Sequence, residues 1–410
     1  MIGCLKKLTL CVNHRKDGYM IYKQFQNLSV SHLGMGAMRL PTTDPHGSID
    51  EEKARSIIEY AYEHGVNYFD TAYRYHKGES ERFVGKVLSQ YPRESWYLAT
   101  KMPGHMMRYR NGRLEFIGYL SGQIPKSPAQ IFEEQLEKCG VDYFDFYLLH
   151  NVCETSFDFY TDEEVGVVEY LLEQKKAGRI RHLGFSSHGR PETIDKFLNW
   201  KNCFEFVQIQ LNYLDWVLQD AKQKYEVITD HGIPVFAMEP CRGGRLASLN
   251  EKADAMLKKA RPHDSIASWA FRFLQSLPNV GVVLSGMTTK DQVVENVELF
   301  SYSDPVTEEE KKLLQQVIAT MVNLVPCTAC RYCCDVCPQE LDIPKLISMY
   351  NEASFEPSST INFTLGAMKD SELPSACIAC ESCKNLCPQE IDVPRIMKEF
   401  DEIIKNISKI

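Results

Sequence analysis

The chain has 410 residues, 44% of them hydrophobic, and a formal net charge of −9. That is ample for a large core, and length alone suggests two or three domains unless one is an α/β barrel, which takes roughly 200–250 residues. The negative balance argues against nucleic-acid backbones, which need clustered cations, and no apolar stretch approaches the roughly 20 residues of a membrane span.

Residues 1–19 fit nothing downstream. LTLCV after Lys6 and Lys7 is too short for a secretory segment. A coherent start appears at Met20. Arg15 to Tyr19 back-translates into AGA AAG GAT GGT TAT, with a purine-rich AGGA just before the Met20 codon. Segment 1–19 is therefore expected to be translated ribosome-binding leader, with Met20 the native start. The intact mass of the natively expressed protein tests this, and a mass including Met1–Tyr19 refutes it.

Short apolar runs then alternate with amphipathic stretches. The predicted strands are His32–Ala37, Val66–Thr71, Trp96–Lys101, Phe144–His150, His182–Ser186, Phe206–Leu211, Pro234–Glu239 and Val280–Ser285. They are nearly continuous in apolarity, as buried parallel strands are. Helical patterns lie between them. EEKARSIIEYAYEHG ends on a glycine, a good residue just past a helix. SPAQIFEEQLEKCG opens on Ser127-Pro128, an N-cap and first-turn pair, and closes on Gly140. TDEEVGVVEYLLEQKKAGR has acids at its start and lysines at its end, matching the helix dipole. Eight such repeats without hairpin signals predict an α/β fold, a closed (β/α)8 TIM barrel over 20–305. An open doubly wound sheet is the alternative, but Gly34-Met35-Gly36 is only a fragment of its glycine-rich turn.

The segment between Lys101 and Ser127 is long for a barrel loop and carries Arg108, Arg110 and Arg113. Two readings stand: a lid whose cations favour a carboxylated or phosphorylated substrate, and a solvated surface hairpin. After the barrel, Thr307 and Glu310 form a capping box, so 306–326 reads as a linker helix.

The last segment, 327–410, holds one cysteine pattern twice. Cys327, Cys330, Cys333 and Cys337-Pro338 are repeated fifty residues later as Cys377, Cys380, Cys383 and Cys387-Pro388. Both read C-x2-C-x2-C-x3-C-P, the bacterial spacing for cubane clusters, and CPQELDIPK against CPQEIDVPR marks an internal duplication. Zinc sites usually close with paired C-x2-C or added histidine, which neither run matches. Two 4Fe–4S clusters in a small α-helical, ferredoxin-like domain are expected. In two-cluster ferredoxins the fourth cysteine of each run serves the other cluster. One cluster then takes Cys327, Cys330, Cys333 and Cys387, and the other Cys377, Cys380, Cys383 and Cys337. Cys334 is off the spacing and reads as a bystander. Of 15 cysteines six lie outside this region, which with oxygen-sensitive clusters fits a reducing cytoplasm.

Active sites of barrels sit at the C-terminal strand ends. Those ends carry Asp70, Lys101 and His150, with Tyr75 in the loop after Asp70. A phenol is a poor acid at neutral pH, and a neighbouring ammonium is expected to lower its pKa. Asp70 would hold Lys101 charged, and His150 would orient a carbonyl oxygen beside Tyr75. Tyr73 competes for the Tyr75 role.

Asp70-Thr71-Ala72 with Tyr75, the ATK ending in Lys101, and the LLH ending in His150 resemble the tetrad of the aldo/keto reductases. GFSSHG (184–189), QIQLNY (208–213), MEPCRGGRL (238–246) and the V-x-E-N ending in Asn296 resemble that family's other landmarks, in order. With its tail the chain resembles the subfamily carrying a C-terminal ferredoxin-like domain. The resemblance implies hydride transfer between a nicotinamide cofactor, NAD(H) or NADP(H), and a small carbonyl substrate, with Tyr75 as proton donor. It also implies that Ser186, Ser187, Gln208 and Asn212 contact the carboxamide and that Gly243 and Gly244 admit the pyrophosphate. Arg242 and Arg245 would meet its charge; Gln292, Glu295 and Asn296 would face the adenosine end, and Gly36 joins the cofactor set. NADP-dependent members place a Lys and an Arg near the adenosine phosphate, where this chain has Gly286 and Gln292. Relaxed or lost NADP preference is therefore expected, with Lys290 a substitute cation.

Nicotinamides give electron pairs, whereas cubanes pass electrons singly, and linking them normally needs a flavin or similar centre. No flavin motif is present, although barrels bind flavin mononucleotide without one. Three readings remain: a carbonyl reductase with structural or docking clusters, a redox enzyme exchanging electrons with the clusters or a ferredoxin partner, and a non-enzymatic electron carrier on a vestigial barrel. The complete tetrad argues against the third.

Overall fold

The computed structural model describes residues 10–11, 20–44, 47–117, 120–322, 324–327, 329–355 and 359–407. The expected leader lies outside them except for β1 (Leu10–Cys11), which pairs antiparallel with Tyr22 and Lys23. Eight parallel strands close a barrel: β4 (Leu33–Gly36), β5 (Tyr68–Asp70), β6 (Tyr97–Met102), β9 (Phe144–Leu149), β10 (Ile180–Ser187), β11 (Val207–Gln210), β12 (Val235–Met238) and β13 (Val280–Ser285). All eight overlap the predicted runs. Closure comes from β13 pairing with β4, Val283 opposite Leu33, which excludes the open sheet.

Two hairpins stand outside the barrel, the first absent from the sequence reading and the second one of the two readings of the long loop. The first, β2 (Tyr22–Phe25) and β3 (Leu28–Ser31), precedes the barrel. It places Phe25 against Phe146, Phe206 and Phe236, with ring centroids 5.3, 6.1 and 5.8 Å apart. These rings belong to the barrel's interior filling, and each buried ring is worth about 2–3 kcal/mol. The second, β7 (Met107–Arg110) and β8 (Arg113–Phe116), lies in the long loop after β6. It turns on Asn111-Gly112, both at positive φ (53° and 73°), the dipeptide suited to a tight two-residue turn. Met107 and Phe116 anchor it in the core, and Arg108, Arg110 and Arg113 are exposed.

The outer helices start where the sequence supplies caps. Ser127 and Gln130 form a capping box ahead of helix Pro128–Cys139, which Gly140 ends at φ 64°. Helix Glu308–Met321 is capped by Thr307 and Glu310 and buries Leu314, Val317 and Ile318 in the barrel's core. Arg261 ties it down through bonds of 2.6 Å to both Glu310 and Asp304.

The C-terminal part is helical among the described residues and has its own core, built on Leu346, Ile347, Ile396, Met397 and Phe400. The duplication recurs in its backbone. Ala329 and Ala379 (φ 54° and 53°), Arg331 and Glu381 (66° and 62°), and Glu340 and Glu390 (53° and 53°) are left-handed at matching positions. Left-handed backbone costs a non-glycine residue about 1 kcal/mol or more, so strain repeated in both copies marks a functional cradle.

This domain rests on the barrel's C-terminal rim. Ser348 meets Asp220 at 3.4 Å, Thr360 meets Gln219 at 3.3 Å, and Arg190 bridges Thr364 (3.3 Å) and Asp220 (2.8 Å). Among the described residues no helix is long and apolar enough to cross a membrane.

Candidate active site and cysteine-lined cavities

Asp70 and Lys101 lie at the ends of neighbouring strands, with Asp70 opposite Ala99 in the register. The Lys101 ammonium bonds Asp70 Oδ1 at 2.6 Å, the Thr71 carbonyl at 2.8 Å and the Tyr75 hydroxyl at 3.4 Å. Lys101 is fully buried and Asp70 nearly so. Burial by itself would lower the lysine's pKa; the Asp70 carboxylate and Tyr75 override it and hold the ammonium above its usual range. Burial raises Asp70, against the pull of Lys101.

Tyr75 departs from expectation in one respect. Its pKa is raised, because burial outweighs the Lys101 charge that was expected to lower it. The phenol is therefore loaded with its proton at neutral pH. Tyr73 turns away, its hydroxyl donating to Glu134 at 3.1 Å.

His150 sits edge-on to Tyr75, ring centroids 6.1 Å apart. Its place is set by its own backbone: Tyr160 donates to the His150 carbonyl at 2.7 Å and to the Met102 carbonyl at 3.0 Å. Tyr160 fits only because residue 104 is glycine, whose Cβ would fall 2.4 Å from the ring. Burial, reinforced by nearby His105 and Lys101, pushes His150 well below the usual imidazole range, so it is neutral.

Sequence reasoning missed two further imidazoles. His105 packs on His150 with centroids 4.4 Å apart, and burial lowers its pKa to about 4. His188, lowered to about 3 by burial, feels the charges of Lys224 and His105. The Nδ1 atoms of both are buried with no hydrogen-bond partner among the described residues. No spacing rule points to either.

The residues expected to hold the cofactor fall into two groups. Gln208 Oε1 is buried and unpartnered among the described residues, an acceptor suited to a carboxamide N–H. Ser186 accepts from the Asn151 N–H at 2.9 Å; Ser187 donates to the Val152 carbonyl at 2.6 Å. Gly243 and Gly244 have φ of 66° and 99°, in an exposed turn that side chains would strain. Arg245 is exposed beside them, Gly36 is partly buried at the end of β4, and Glu295 is exposed.

The second group is engaged within the protein. The Asn212 amide donates to Asp215 at 2.6 Å and to the Glu239 carbonyl at 3.1 Å, and its oxygen accepts two backbone N–H groups. Arg242 is paired with Asp215 at 2.9 Å and lies 5.0 Å from the Phe355 ring. Gln292 caps its own helix through Thr288 and Thr289, and Asn296 donates to Ser285 at 3.0 Å. Lys290 donates to the Ser56 carbonyl at 3.2 Å and covers Tyr60 at 3.9 Å. Arg39, unremarked in the sequence, lies against both cofactor-loop glycines. A Cβ on Gly243 would meet its guanidinium at 3.1 Å, and one on Gly286 its Cβ at 3.2 Å.

Two cavities open in the C-terminal domain. One is lined by Cys337, Cys377, Cys380 and Cys383. The other is lined by Cys327, Cys330, Cys333 and Cys387. Each joins three cysteines of one run to the fourth of the other; Cys334 is not among the lining residues.

The profile of the Aldo/keto reductase family matches residues 32–319, and that of the 4Fe-4S dicluster domain matches 326–391. The chain is similar to the uncharacterized oxidoreductase YqkF of Bacillus subtilis, 27% identical over 311 residues, covering 70% of this chain and 93% of that protein. It is similar to the NADH-specific methylglyoxal reductase of Escherichia coli, 26% identical over 301 residues, covering 66% and 90%. Among solved structures, aldo-keto reductase AKR11C1 from Bacillus halodurans (holo form) superposes with a TM-score of 0.57 at 30% identity, covering 73% of this chain and 96% of that one. The chain thus belongs to the aldo/keto reductase family, as an oxidoreductase whose barrel is followed by a 4Fe-4S dicluster domain.

Proposed function

We propose that the barrel reduces a small aldehyde or ketone to the alcohol with NADH or NADPH. The observation that carries this is the buried Asp70–Lys101–Tyr75 chain with neutral His150 beside it. When bound, the nicotinamide supplies hydride to the carbonyl carbon. Tyr75 gives its phenolic proton to the carbonyl oxygen. The phenolate left behind is stabilised by the Lys101 ammonium, which Asp70 keeps charged. A neutral imidazole at His150 donates one N–H to the same oxygen and steers it toward Tyr75. Gln208 Oε1 would hold the carboxamide, and the Gly243-Gly244 turn would admit the pyrophosphate with Arg39 alongside.

Gly286 and Gln292 are both uncharged where NADP-dependent members carry cations, Lys290 is bonded to the Ser56 carbonyl, and the guanidinium of Arg39 beside Gly286 lies at the Gly243 turn. This supports use of NADH, in keeping with the name of the Escherichia coli relative. Aldehyde-dependent oxidation of NADH and NADPH tests both points. Tyr75→Phe should abolish it, and a strong NADPH preference refutes the cofactor assignment.

Two 4Fe–4S clusters fit the two cavities, with the crossed ligand sets Cys327, Cys330, Cys333, Cys387 and Cys377, Cys380, Cys383, Cys337. When bound they supply one-electron capacity, and the domain is either structural support for the barrel rim or a contact for a ferredoxin-like redox partner. A reducing cytoplasm suits both the clusters and the free thiols.

A further inference from the structure

We propose that the C-terminal iron–sulfur domain supplies a wall of the substrate pocket and that Phe363 on it determines substrate size. This rests on the carbonyl-reductase reading and deepens it.

Aromatic rings run from the proton donor to the other domain. Tyr75 and His150 are 6.1 Å apart, and His150 and His105 4.4 Å. His188 lies within electrostatic reach of both histidines and stands 6.4 Å from the half-buried Phe363 ring. A carbonyl oxygen seated between Tyr75 and His150 has its substituent directed along these imidazoles. A short substituent ends at the histidines; a longer one meets Phe363.

The position of Phe363 is built, not incidental. Helix Ser359–Ala367 is held on the barrel by Thr360 to Gln219 (3.3 Å) and by Thr364 to the Arg190 guanidinium (3.3 Å), with both threonines buried. Arg190 follows His188 by two residues, so one loop sets the imidazole and clamps the helix that carries the ring. Glu352 of the preceding helix, eight residues before Thr360, is fully buried and lies 4.0 Å from the Arg190 guanidinium. Gly366 lies close to Thr155, whose methyl would stand 3.6 Å from a Cβ there. A wall secured by two buried threonines excludes volume rather than yielding to it.

The test is the ratio of kcat/KM for 2-naphthaldehyde over propanal with NADH. Phe363→Ala should raise that ratio about tenfold or more, and Phe363→Trp should lower it, because pocket volume discriminates by such factors. Cluster absorbance equal to wild type shows that the domain is intact, and Phe363→Leu replaces the alanine variant where it is not. The Kd of each aldehyde for the NADH complex of Tyr75→Phe, with and without the Phe363 change, is the second readout. If the wild type reduces neither aldehyde, the carbonyl-reductase reading fails while the Kd ratio still reports on the wall. Unchanged ratios in both readouts overturn the proposal.

Discussion

Lys101→Met is the sharpest single perturbation of the proposed machinery. Lys101 is wholly buried and its bond to Asp70 is 2.6 Å, so removing it strands a carboxylate with a second oxygen already unpartnered among the described residues. Breaking a buried pair from one side costs about 3–5 kcal/mol. The Tyr75 proton becomes harder to release as well, because Lys101 is the charge that opposes the upward push of burial. Loss of assisted proton transfer costs roughly 10²–10⁴ in rate. The double variant Asp70→Asn/Lys101→Met separates the two effects. With both charges gone the burial cost largely disappears, so urea unfolding should recover most of the lost stability. Turnover of an aldehyde with NADH should stay low in both variants while NADH binding persists. The reasoning is refuted if the single variant loses under about 1 kcal/mol, or if the double variant turns over like wild type.

Three other outcomes are expected. Glu81 is buried under β6, accepting from Thr100 and Gln135 at 2.6 Å each, and burial raises its pKa from 4.5 to about 7. Between those values the unfolded chain releases its proton and the folded one keeps it, so stability falls as pH rises, by up to roughly 3 kcal/mol. Glu81→Gln should flatten that slope in unfolding measured from pH 4.5 to 7; an unchanged slope rejects the assignment. Cys387→Ala should take iron from about eight to about four atoms per chain and spare the cluster on Cys337, Cys377, Cys380 and Cys383; loss of that second cluster's ligands' iron instead, with the Cys327 set retained, contradicts the crossed wiring. Finally, NADH added anaerobically without substrate should leave cluster absorbance intact while dithionite bleaches it. Bleaching by NADH would make the protein an electron relay and demand a mediating centre.

Much of this molecule was legible in one dimension. Buried parallel strands read as apolar runs, so all eight barrel strands were found, and the cysteine pattern reads as spacing because a cubane's geometry dictates it. The candidate tetrad was read from strand ends, where barrels place chemistry, and those four residues do lie together. The hairpin after β6 stood as one of two readings, and the Asn111-Gly112 dipeptide that turns it went unread although its left-handed preference is local.

What remained hidden depends on contacts between distant residues. Burial against charge decides the direction of the Tyr75 pKa, and no sequence pattern reports how deeply a phenol is desolvated. Whether Asn212 and Gln292 face a ligand or cap their own turns is settled by which partner lies within 3 Å or so. Arg39 reaches Gly243 and Gly286, and His188 reaches Phe363, from unrelated segments that meet only when the barrel closes and the second domain comes down on its rim. The sequence by itself determined the elements, the ligand spacing and the family, because each is encoded locally. Only the tertiary structure decided which neutral and charged groups share the pocket, because desolvation and packing are properties of the assembled fold.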